Sequence, residues 1–414
     1  MRKQYLTGDQ MLVREINLST LLRYLREGAP LSRAQLANLT GLNKTTVSSL
    51  VEELLGRGLV REVGLDTSGS GRPGTLLDMN PQAGWIIGVA LGVDFALAIL
   101  TDFVGQVLWR KLQETDPADG QDVIIAQVRD LVDEALAVSR SRDVRLLGLG
   151  LATPGTVDVE RGVLIFSPNL QWRNVPFQQL FHEHTGLRVL VDNDANAAAV
   201  AEHLFGAARG VQNFVNVFAG VGVGGGLFLN GQLYRGADGF AGEIGHTNFM
   251  SESYRKPCRC GNRGCWETVV NQDAIVERIR ARLAVGRSSS IPRLTGEQNM
   301  PLTVTVIIDA ADAGDAESIE ALTETGWLMG LGVANLISIF NPEMVVIGGP
   351  LSRAGDYLLP PIEEAVKRTV LPEVRETVRI LLSPFGGDAS VVGAAALITE
   401  YILSNPSSVD RLSK

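Results

Sequence analysis

Cysteine, histidine and aromatic residues are scarce in this chain. Its 414 residues include three cysteines and four histidines, and aromatic side chains make up 6%. Three thiols leave one unpaired in any disulfide scheme, which excludes a disulfide-rich secreted scaffold and favours a reducing, cytoplasmic setting. Long apolar runs are also missing: the most hydrophobic stretch, 85–100, is interrupted by glycines and by Asp94, so we expect no membrane-spanning helix. The first residues contain no apolar core of the secretory type, and no signal peptide is expected.

Apolar and charged residues are present in the proportions of globular proteins. Hydrophobic residues make up 45% and charged residues 20%, which at this length favours two or three domains with ample core. The net charge of −9 argues against nucleic-acid binding by the chain taken whole. Residues 1–74, however, carry ten Lys/Arg and seven Asp/Glu, a balance of +3, against −12 in the remainder. A basic head on an acidic body directs the search for nucleic-acid contacts to the head.

All three cysteines fall in one short stretch together with a histidine. These four residues are His246, Cys258, Cys260 and Cys265. Three thiols and one imidazole are the ligand set of a closed tetrahedral site, so the sequence predicts a structural Zn²⁺ ion. The spacing is not the common Cys-x-x-Cys of zinc fingers, and the alternatives are reduced, unbound thiols or a disulfide. Cys258 and Cys260 lie too close along the chain for an easy disulfide, which favours the metal.

Two carboxylates flank these metal-ligand candidates. Glu243 precedes His246 by three residues, and Glu267 follows Cys265 by two. A metal that holds one ring nitrogen of His246 leaves the other free to face a pocket. Carboxylates beside such a ring would accept hydrogen bonds from the hydroxyls of a sugar. The alternative is that both acids are solvated loop charges.

The motifs of this stretch resemble those of a known family. Gly-Glu-Ile-Gly-His at 242–246, followed by Cys-x-Cys-Gly-x-x-Gly-Cys-x-Glu at 258–267, is similar to the ROK family (repressor, open reading frame, kinase) of bacterial sugar kinases and sugar-responsive repressors. The likeness is closest to members of the xylose-repressor type. It implies a two-lobed, actin-like sugar-kinase fold. It also implies sugar contacts at the matching positions Asn169, Asn193, Asp194, Glu243, His246 and Glu267.

The basic head has the pattern of a helix-turn-helix. Apolar residues at helical spacing predict three helices, over 17–26, 33–39 and 43–55. Ser32 and Asn43 are expected to cap the second and third helices, with a glycine-containing turn between these two. Residues 1–16 are a polar arm for which no structure is predicted.

A wing follows these helices in the sequence. Strands at 58–63 and 75–78 are joined by a glycine-rich loop, which together with the helices predicts a winged helix-turn-helix. The expected DNA contacts are Arg33, Asn43, Lys44, Thr45, Thr46, Ser48 and Arg72. A helical protein-interaction module is the alternative. The segment Leu-Ser-Arg-Ala-Gln-Leu-Ala at 31–37 resembles the heads of ROK-family repressors, and this favours operator DNA.

The acidic body repeats one plan twice. Residues 85–111 and 214–234 each predict a strand, a glycine-containing turn, a second strand, a turn and a third strand, which suggests a duplicated α/β architecture with a cleft between two lobes. We expect a winged head with its N-terminal arm over 1–80, a first lobe over 81–195 completed by a C-terminal helix at 388–414, and a second lobe with the zinc loop over 196–387.

The cleft is expected to hold polar residues at a strand end. A strand over 187–191 leads at once into a helix over 195–205, so Asn193 and Asp194 lie at a helix N-terminus, where amide groups favour a carboxylate. Simple capping is the alternative role for both. Trp172 is expected to add an apolar wall. Further on, 318–339 predicts two apolar helical segments running together.

The first hairpin of the body distinguishes an active sugar kinase from a regulator that binds sugar without phosphorylating it. In family kinases it has approximately the sequence Gly-Ile-Asp-Ile-Gly-Gly-Thr-Lys, whereas this chain has Ala90 at the acidic position, with Val93 and Asp94 in place of the Gly-Thr pair. Val93 hinders close backbone approach to phosphate, and the carboxylate of Asp94 repels it. Without a phosphate-donor site, Asp194 is a vestigial base, and no enzymatic activity is expected.

These observations together predict a DNA-binding transcriptional repressor whose kinase-derived body binds a sugar of the xylose or glucose class. We expect it to act in the cytoplasm as a homodimer or homotetramer. The alternatives are an ATP-dependent sugar kinase of the hexokinase or glucokinase type that carries a DNA-binding head, and a sensor whose ligand is a protein partner.

Overall fold

The head is a three-helix unit with a small antiparallel sheet. The computed structural model describes residues 10–66, 74–249, 256–298 and 301–411. Within the head the helices are α1 (Gln10–Gly28), α2 (Arg33–Thr40) and α3 (Lys44–Gly56). The strands are β1 (Leu31–Ser32), β2 (Val60–Asp66) and β3 (Gly74–Met79), in the order β1-β3-β2. This is the predicted winged helix-turn-helix, with a third short strand that the sequence pattern had not indicated.

Local capping chemistry sets the helix boundaries of the head. The Ser32 side chain accepts from the amide of Gln35 in a capping box, and Asn43 Oδ1 accepts from the amide of Thr46 at 2.8 Å, which confirms both predicted N-caps. Gly41, with a φ of 71°, makes the turn between α2 and α3. The prediction for the arm was incomplete, because α1 already begins at Gln10.

The first body sheet has five strands. They are β4 (Trp85–Leu91), β5 (Phe95–Thr101), β6 (Val107–Glu114), β7 (Leu146–Thr153) and β11 (Val189–Asn193), in the order β11-β7-β4-β5-β6. A helix, α4 (Gln121–Ser141), connects β6 to β7 and packs on β5 and β4. Between β7 and β11 lie a small antiparallel sheet of β8 (Thr156–Asp158), β9 (Val163–Ser167) and β10 (Trp172–Val175), and the helix α5 (Phe177–Thr185).

The second body sheet repeats the first. After α6 (Asp194–Phe205) come β12 (Phe214–Ala219), β13 (Val223–Leu229), β14 (Gln232–Leu233), β15 (Met344–Gly348) and β16 (Arg379–Leu382), in the order β14-β13-β12-β15-β16. In each sheet the first strand along the chain pairs antiparallel with the second and parallel with the fourth. The duplication predicted from the two hairpins is therefore present in the strand order.

Helices complete the second half of the body. They are α7 (Glu267–Val270), α8 (Gln272–Ala284), α9 (Ile291–Gln298), α10 (Val304–Asp312), α11 (Ala316–Phe340), α12 (Gly355–Thr369) and α13 (Pro372–Arg375). The stretch 318–339, expected as two segments, is one helix, α11. Gly326 and Gly330 of this helix face α12: a Cβ on Gly330 would lie 2.7 Å from the carbonyl oxygen of Ile362. Gly330 is therefore a contact between helices and does not interrupt α11.

Two helices lie between the sheets and join all parts of the molecule. The last one, α14 (Ala389–Ser404), packs on α6 and on β4, β7 and β11 of the first sheet, and it ends ten residues before the expected end at residue 414. The expected lobe boundary between residues 195 and 196 falls inside α6, which packs on α14 and on β13. Trp172 is only 6% exposed and lies in the core of the first half, so the prediction that it lines the cleft was wrong.

The head shares a core with the body. Buried leucines of α1, among them Leu21 and Leu22, belong to the same apolar cluster as Val200 and Leu204 of α6 and Leu397 of α14. Burial of this kind contributes about 1.5–3 kcal/mol per large side chain, so the head is a packed part of the molecule in this conformation. Among the described residues no helix is long and apolar enough to cross a membrane.

Candidate functional site

The predicted metal ligands are brought together by close backbone contacts. A single turn of 3-10 helix, Ile244–His246, sits against β13 so tightly that a Cβ on Gly245 would lie 2.0 Å from the carbonyl oxygen of Val223. The cysteine loop folds back on itself, with the amide of Cys258 donating to the carbonyl of Asn262 at 2.8 Å. Gly261 has a φ of 95°, a conformation that side-chain-bearing residues rarely adopt.

The four side chains form a group that could hold a metal ion. Their ligand atoms all lie within 4.8 Å of one another. The Sγ atoms of Cys260 and Cys265 are 3.8 Å apart, and Cys258 Sγ is 3.7 Å from His246 Nδ1. A tetrahedron with Zn–S bonds of about 2.3 Å has edges of roughly 3.8 Å, so the donor set fits zinc. The same separation is far longer than a disulfide bond of about 2.05 Å, and all three cysteines are free.

The surroundings favour neutral thiols unless a cation is present. Burial, with smaller effects from neighbouring side chains, raises the pKa of Cys265 to about 11. Burial and the neighbouring Glu267 carboxylate raise the pKa of Cys258 well above its ordinary value. The Cys258 thiol donates to Glu267 Oε1 at 2.8 Å. A bound cation would replace these protons, since thiolates are the metal-binding form.

Two of the predicted sugar contacts lie on either side of the His246 ring. Glu267 Oε1 is 3.6 Å from Nδ1, and Glu243 Oε2 is 3.8 Å from Nε2. Cys258 also lies nearest to Nδ1, so Glu267 shares the thiol side of the ring, whereas Nε2 and Glu243 face away from the thiols. Burial, partly offset by the nearby His246 imidazole, raises the pKa of Glu243.

Asn169 reaches the same place from the first half of the body. It lies in the loop between β9 and β10, and its Oδ1 accepts from Arg259 Nη1 at 3.4 Å. A Cβ built on Gly222 would be 3.4 Å from Asn169 Nδ2 and 3.3 Å from Glu267 Oε2, so these two side chains flank one glycine. The bare backbone at Gly222 leaves the space between them open.

Asn193 and Asp194 lie at the N-terminus of α6, as predicted. Asn193 Oδ1 accepts from the amides of Ala195 and Asn196, and its Nδ2 donates to the carbonyl of Gly155 at 3.0 Å. The side-chain amide of Asn193 therefore caps α6 and also binds the loop that follows β7. Asp194 Oδ1 accepts from the amide of Ala195 at 2.9 Å. Burial, and less strongly the nearby Glu243 carboxylate, raises the pKa of Asp194 to about 6, the range of a carboxylate that can exchange protons near neutrality.

A buried ion pair, which was not predicted, lies beneath these residues. Asp192 is 1% exposed, and Arg235 binds both its oxygens, at 3.0 and 2.5 Å. A bidentate pair of this kind fixes the end of β11 against the segment that follows β14. The Asp-Asn-Asp triplet was visible in the sequence, but no local signal marked Arg235 as the partner.

The opposite side of the cleft has different chemistry. The β4–β5 turn places Asp94 at the rim of a cavity of about 480 Å³, which Glu114 also lines. Arg110 in this cavity forms a bidentate ion pair with Asp388 at 2.8 and 2.9 Å, from the edge strand β6 to the loop that leaves the second sheet. Two further carboxylates and no unpaired lysine or arginine line this cavity, an arrangement that repels a triphosphate.

The predicted DNA contacts fall into two groups. Asn43, Lys44 and Thr45 are exposed at the start of α3, whereas Thr46 and Ser48 are half-buried, and Ser48 donates to the carbonyl of Lys44. Arg33 is held by Glu52 at 2.8 Å and Glu62 at 3.3 Å. Arg72 lies outside the described residues.

The contact between head and body was also missed. Arg26 of α1 is 6% exposed; its Nη1 donates to the carbonyl of His203 at 2.9 Å, and its Nη2 lies 3.3 Å from His203 Nε2. The His203 ring stacks on Phe228 at 4.5 Å. Burial and the nearby guanidiniums lower the pKa of His203 to about 4, so the neutral ring accepts from Arg26. Nothing near His203 in the sequence indicates this partner.

The chain belongs to the ROK family, whose sequence model matches residues 86–401, and the MarR family model matches residues 19–69. It is 34% identical to a xylose repressor of Caldicellulosiruptor bescii over 401 residues, which is 96% of this chain and 99% of that protein.

Solved structures show the same architecture. The crystal structure of a ROK family transcriptional regulator, a homologue of the E. coli MLC protein, superposes with a TM-score of 0.81 at 27% identity and covers 97% of this chain and 100% of its own. A ROK family glucokinase from Streptomyces griseus, in complex with glucose and AMPPNP, superposes with a TM-score of 0.67 at 32% identity over 76% of this chain and 99% of its own. The fold is a winged head on an actin-like sugar-kinase body.

Proposed function

We propose that this protein is a transcriptional repressor that binds operator DNA through its head and responds to a sugar bound in its body. The observation that carries the proposal is a winged helix-turn-helix packed on a body that gathers carboxylate, amide and imidazole groups in one cleft. Likeness over nearly the full length to a xylose repressor and to a ROK transcriptional regulator supports it. We place its action in the cytoplasm, where such operators would be.

The start of α3 is the proposed DNA-reading surface. Asn43, Lys44 and Thr45 are exposed there, and amide groups at a helix N-terminus favour phosphate. Arg33 is tied to two glutamates, so Lys44 supplies the accessible positive charge in this conformation. Arg33 and Arg72 remain proposed phosphate contacts, together with Thr46 and Ser48 as secondary contacts in α3.

A test of the head compares Lys44→Ala with Lys111→Ala, an exposed lysine of the body that pairs with Glu134. Removing one phosphate contact should weaken duplex binding and lower the slope of log affinity against log salt by about 0.9. Lys111→Ala should leave both unchanged. Equal behaviour of the two variants in fluorescence anisotropy would contradict the assignment of α3 as the DNA-reading helix.

The proposed sugar site uses Asn169, Asn193, Asp194, Glu243, His246 and Glu267. The acid oxygens and the second ring nitrogen of His246 suit a polyhydroxylated ligand of the xylose or glucose class, because each accepts a hydroxyl hydrogen bond. Asn193 contributes by holding α6 to the Gly155 loop, and a direct contact requires it to exchange one of its present partners. We propose zinc as the ion of the cysteine cluster, where it fixes the orientation of the His246 ring.

We propose that the body binds sugar without phosphorylating it. Asp94 and Glu114 line the cavity where a phosphate donor would have to sit, and Ala90 and Val93 lack the groups that hold metal and phosphate. Because phosphoryl transfer depends on positioning and charge neutralisation, such a site supplies little catalysis. Asp194 is then a ligand-binding residue and a vestigial base.

A sugar kinase with a DNA-binding head remains the second candidate, because a glucokinase shares the body fold at 32% identity. A coupled ATP assay over a panel of pentoses and hexoses separates the two. Turnover on the order of 1 s⁻¹, an ordinary enzyme rate, would replace the repressor-only proposal.

Helix α6 connects the proposed sugar site with the DNA-binding head. Its first residues are part of the proposed sugar site, and His203 near its last turn contacts Arg26 of the head. Twelve residues of helix span about 18 Å as a rigid element. A sugar that shifts the N-terminus of α6 would therefore move the surface on which α1 rests. We propose a homodimer or homotetramer, in which such a shift changes the spacing of two heads.

The direct test measures whether a sugar changes the affinity of the protein for duplex DNA. After selection of a tight-binding duplex, a sugar of the right class should change duplex affinity at least tenfold, whereas Asp194→Asn should bind the duplex normally and ignore the sugar. Tight duplex binding with no thermal shift from any pentose or hexose would contradict the sugar proposal and favour a protein effector.

A further inference from the structure

A second cavity lies away from the sugar site and from the proposed DNA-reading surface. It has a volume of about 560 Å³ and lies where α5, the start of β7 and the last turns of α14 meet. Arg161, His182, Arg188, Tyr401 and Ser408 line it and define what we call the cationic cavity. Its size is within the range that holds a small metabolite.

The charge of the cationic cavity is opposite to that of the body around it. Its lining includes two arginines and one histidine, and no carboxylate. Within the described ranges, no ion pair involves the side chain of Arg161 or of Arg188. Two uncompensated guanidiniums in one concave site of an acidic body attract anions, because a concave wall of low dielectric concentrates their field.

The cavity also presents oriented hydrogen-bond donors. The Arg188 guanidinium lies 4.4 Å from the centre of the Tyr401 ring, a contact that holds it in place while leaving its N–H groups available. His182 Nδ1 donates to the carbonyl of Leu187 at 2.7 Å, which leaves Nε2 as the acceptor nitrogen of a neutral ring, suited to a hydroxyl of the ligand. Ser408 lines the cavity with other atoms, whereas its hydroxyl oxygen is shielded from solvent and has no hydrogen-bond partner among the described residues. A buried hydroxyl without a partner is unfavourable unless a ligand or water satisfies it.

A neighbouring cavity shows what a compensated site looks like. Between the head, α6 and α14 there is a cavity of about 630 Å³ that also contains two arginines. There Arg23 is paired with Glu400 and Arg235 with Asp192. Those positive charges are neutralised within the protein, whereas Arg161 and Arg188 are not. The difference indicates that the cationic cavity is neutralised from outside the protein.

We propose that the cationic cavity binds a small phosphorylated metabolite through its phosphate group. Guanidinium forks match phosphate oxygens in pairs, and this geometry distinguishes phosphate from a monovalent halide. A concave site of about 560 Å³ that opens to solvent suits a phosphomonoester of a few carbons better than the continuous backbone of a nucleic acid. The site is separate from the sugar site, so it does not depend on the sugar assignment.

Occupancy of this cavity should reach the head. Ser408 belongs to a 3-10 helix, Pro406–Arg411, whose Ser407 amide donates to Glu15 of α1 at 2.9 Å. Asp410 in the same segment pairs with Arg57 at the end of α3. A ligand that packs against Ser408 in the cavity is therefore expected to stabilise the segment that holds the head against the body.

The test measures phosphate binding to the full chain at constant ionic strength. Inorganic phosphate and glycerol phosphate, each against chloride and free glycerol, are titrated by calorimetry into the wild type, Arg188→Gln and Arg161→Gln. Arg173→Gln is the matched control, because Arg173 also lies over an aromatic ring, that of Phe166, at 3.9 Å, but outside this cavity. Wild type and Arg173→Gln should bind phosphate alike, and each cavity variant should lose at least tenfold in affinity.

Three results would overturn the proposal. One is no phosphate binding by the wild type at millimolar concentrations. Another is equal binding by all variants, which would mean an adventitious ion only. The last is loss of duplex DNA affinity in the cavity variants as large as that of Lys44→Ala without any phosphate binding, which would make the cavity a DNA contact. If Arg188→Gln fails to fold, Arg161→Gln and the conservative Arg188→Lys decide the question.

Discussion

The two sides of the body cleft differ in the ligand-binding groups that they carry. The sugar side gathers Asp194, Glu243 and Glu267 around a histidine that the cysteine cluster holds in place. The phosphate side has a similar hairpin but carries Asp94 on its turn and an Arg110–Asp388 ion pair across its mouth. The two sides of the cleft can therefore change separately, because they use different segments: the β4–β5 turn and β6 on the phosphate side, and the start of α6 and the cysteine loop on the sugar side.

The largest effect is expected from removing a metal ligand. Cys260→Ser should lower bound zinc from about one ion per chain to none, because a closed site needs all four ligands. Sugar affinity should fall with it through the freed His246 ring. Elemental analysis and a thermal-shift titration measure both. Asn262→Ala, an exposed change in the same loop, should retain zinc; loss of zinc in both variants would mean loop unfolding and would not support a ligand role for Cys260.

The next effect concerns Asp194. Asp194→Asn should weaken sugar binding roughly 100-fold, on the scale of about 2–3 kcal/mol for a lost charge-assisted hydrogen bond. The same change should stabilise the sugar-free protein at pH 7 by about 1–2 kcal/mol, because it removes a carboxylate whose charge is disfavoured by burial. Denaturant unfolding with and without sugar separates the two effects. A variant that is less stable without sugar would show that Asp194 has a structural role.

A smaller effect should follow from pH. The pKa of Asp194 is raised to about 6, so its folded form binds a proton more readily than its unfolded form near 4. This contribution to stability is present below pH 4 and is lost as pH rises through 6. Sugar affinity should change the other way and fall about tenfold from pH 7 to 5, as the carboxylate is protonated. Asp194→Asn should not show this pH dependence, with zinc content measured at both pH values as the control.

The phosphate side should respond independently of the sugar side. The double change Val93→Gly with Asp94→Thr removes the repelling carboxylate and opens the turn, so weak nucleotide binding should appear, with a Kd on the order of 1 mM. Sugar affinity should stay within about twofold, well below 1 kcal/mol. Calorimetry with AMPPNP and with sugar tests both. A loss of sugar affinity in the same variant would contradict the independence of the two sides, because it would show that they are coupled.

The smallest effect is expected from Arg110→Ala. Both Arg110 and Asp388 are exposed, with side chains 43% and 38% accessible, so their pairing should contribute about 1 kcal/mol or less. Unfolding by urea measures it, and Lys111→Ala on the same strand is the control. A loss several times larger would mean that this pair holds the two halves of the body together.

Sequence reasoning succeeded where the signal is local. The caps at Ser32 and Asn43, the two hairpins and the grouping of His246 with the cysteines depend on neighbours within a few residues or on motifs with fixed spacing. The start of α1 at Gln10 was missed because Gln10–Asn17 contributes only exposed or half-buried side chains, so it lacks the apolar periodicity that marked the rest of the helix.

Contacts between distant residues could not be predicted in this way. Arg26 and His203 are separated by 177 residues, and each is of a type usually found at the surface. Arg235 and Asp192 lie 43 residues apart, and only the fold shows that they meet. Trp172 was assigned to the cleft from its place in a polar loop, but its ring fills the core because β9 and β10 turn it inward.

The glycine contacts around α14 impose a mechanical condition. A Cβ on Gly393 would lie 1.9 Å from the carbonyl oxygen of Ala197, and one on Gly150 would lie 1.7 Å from that of Ala394. Because these contacts are between backbone atoms, no side chain can change rotamer to let α6 slide along α14. Strand β7, α14 and α6 are therefore expected to move as one rigid body. Bending of the body is then limited to the loops that border these three elements. A displacement of one end of α6 is transmitted in full to its other end.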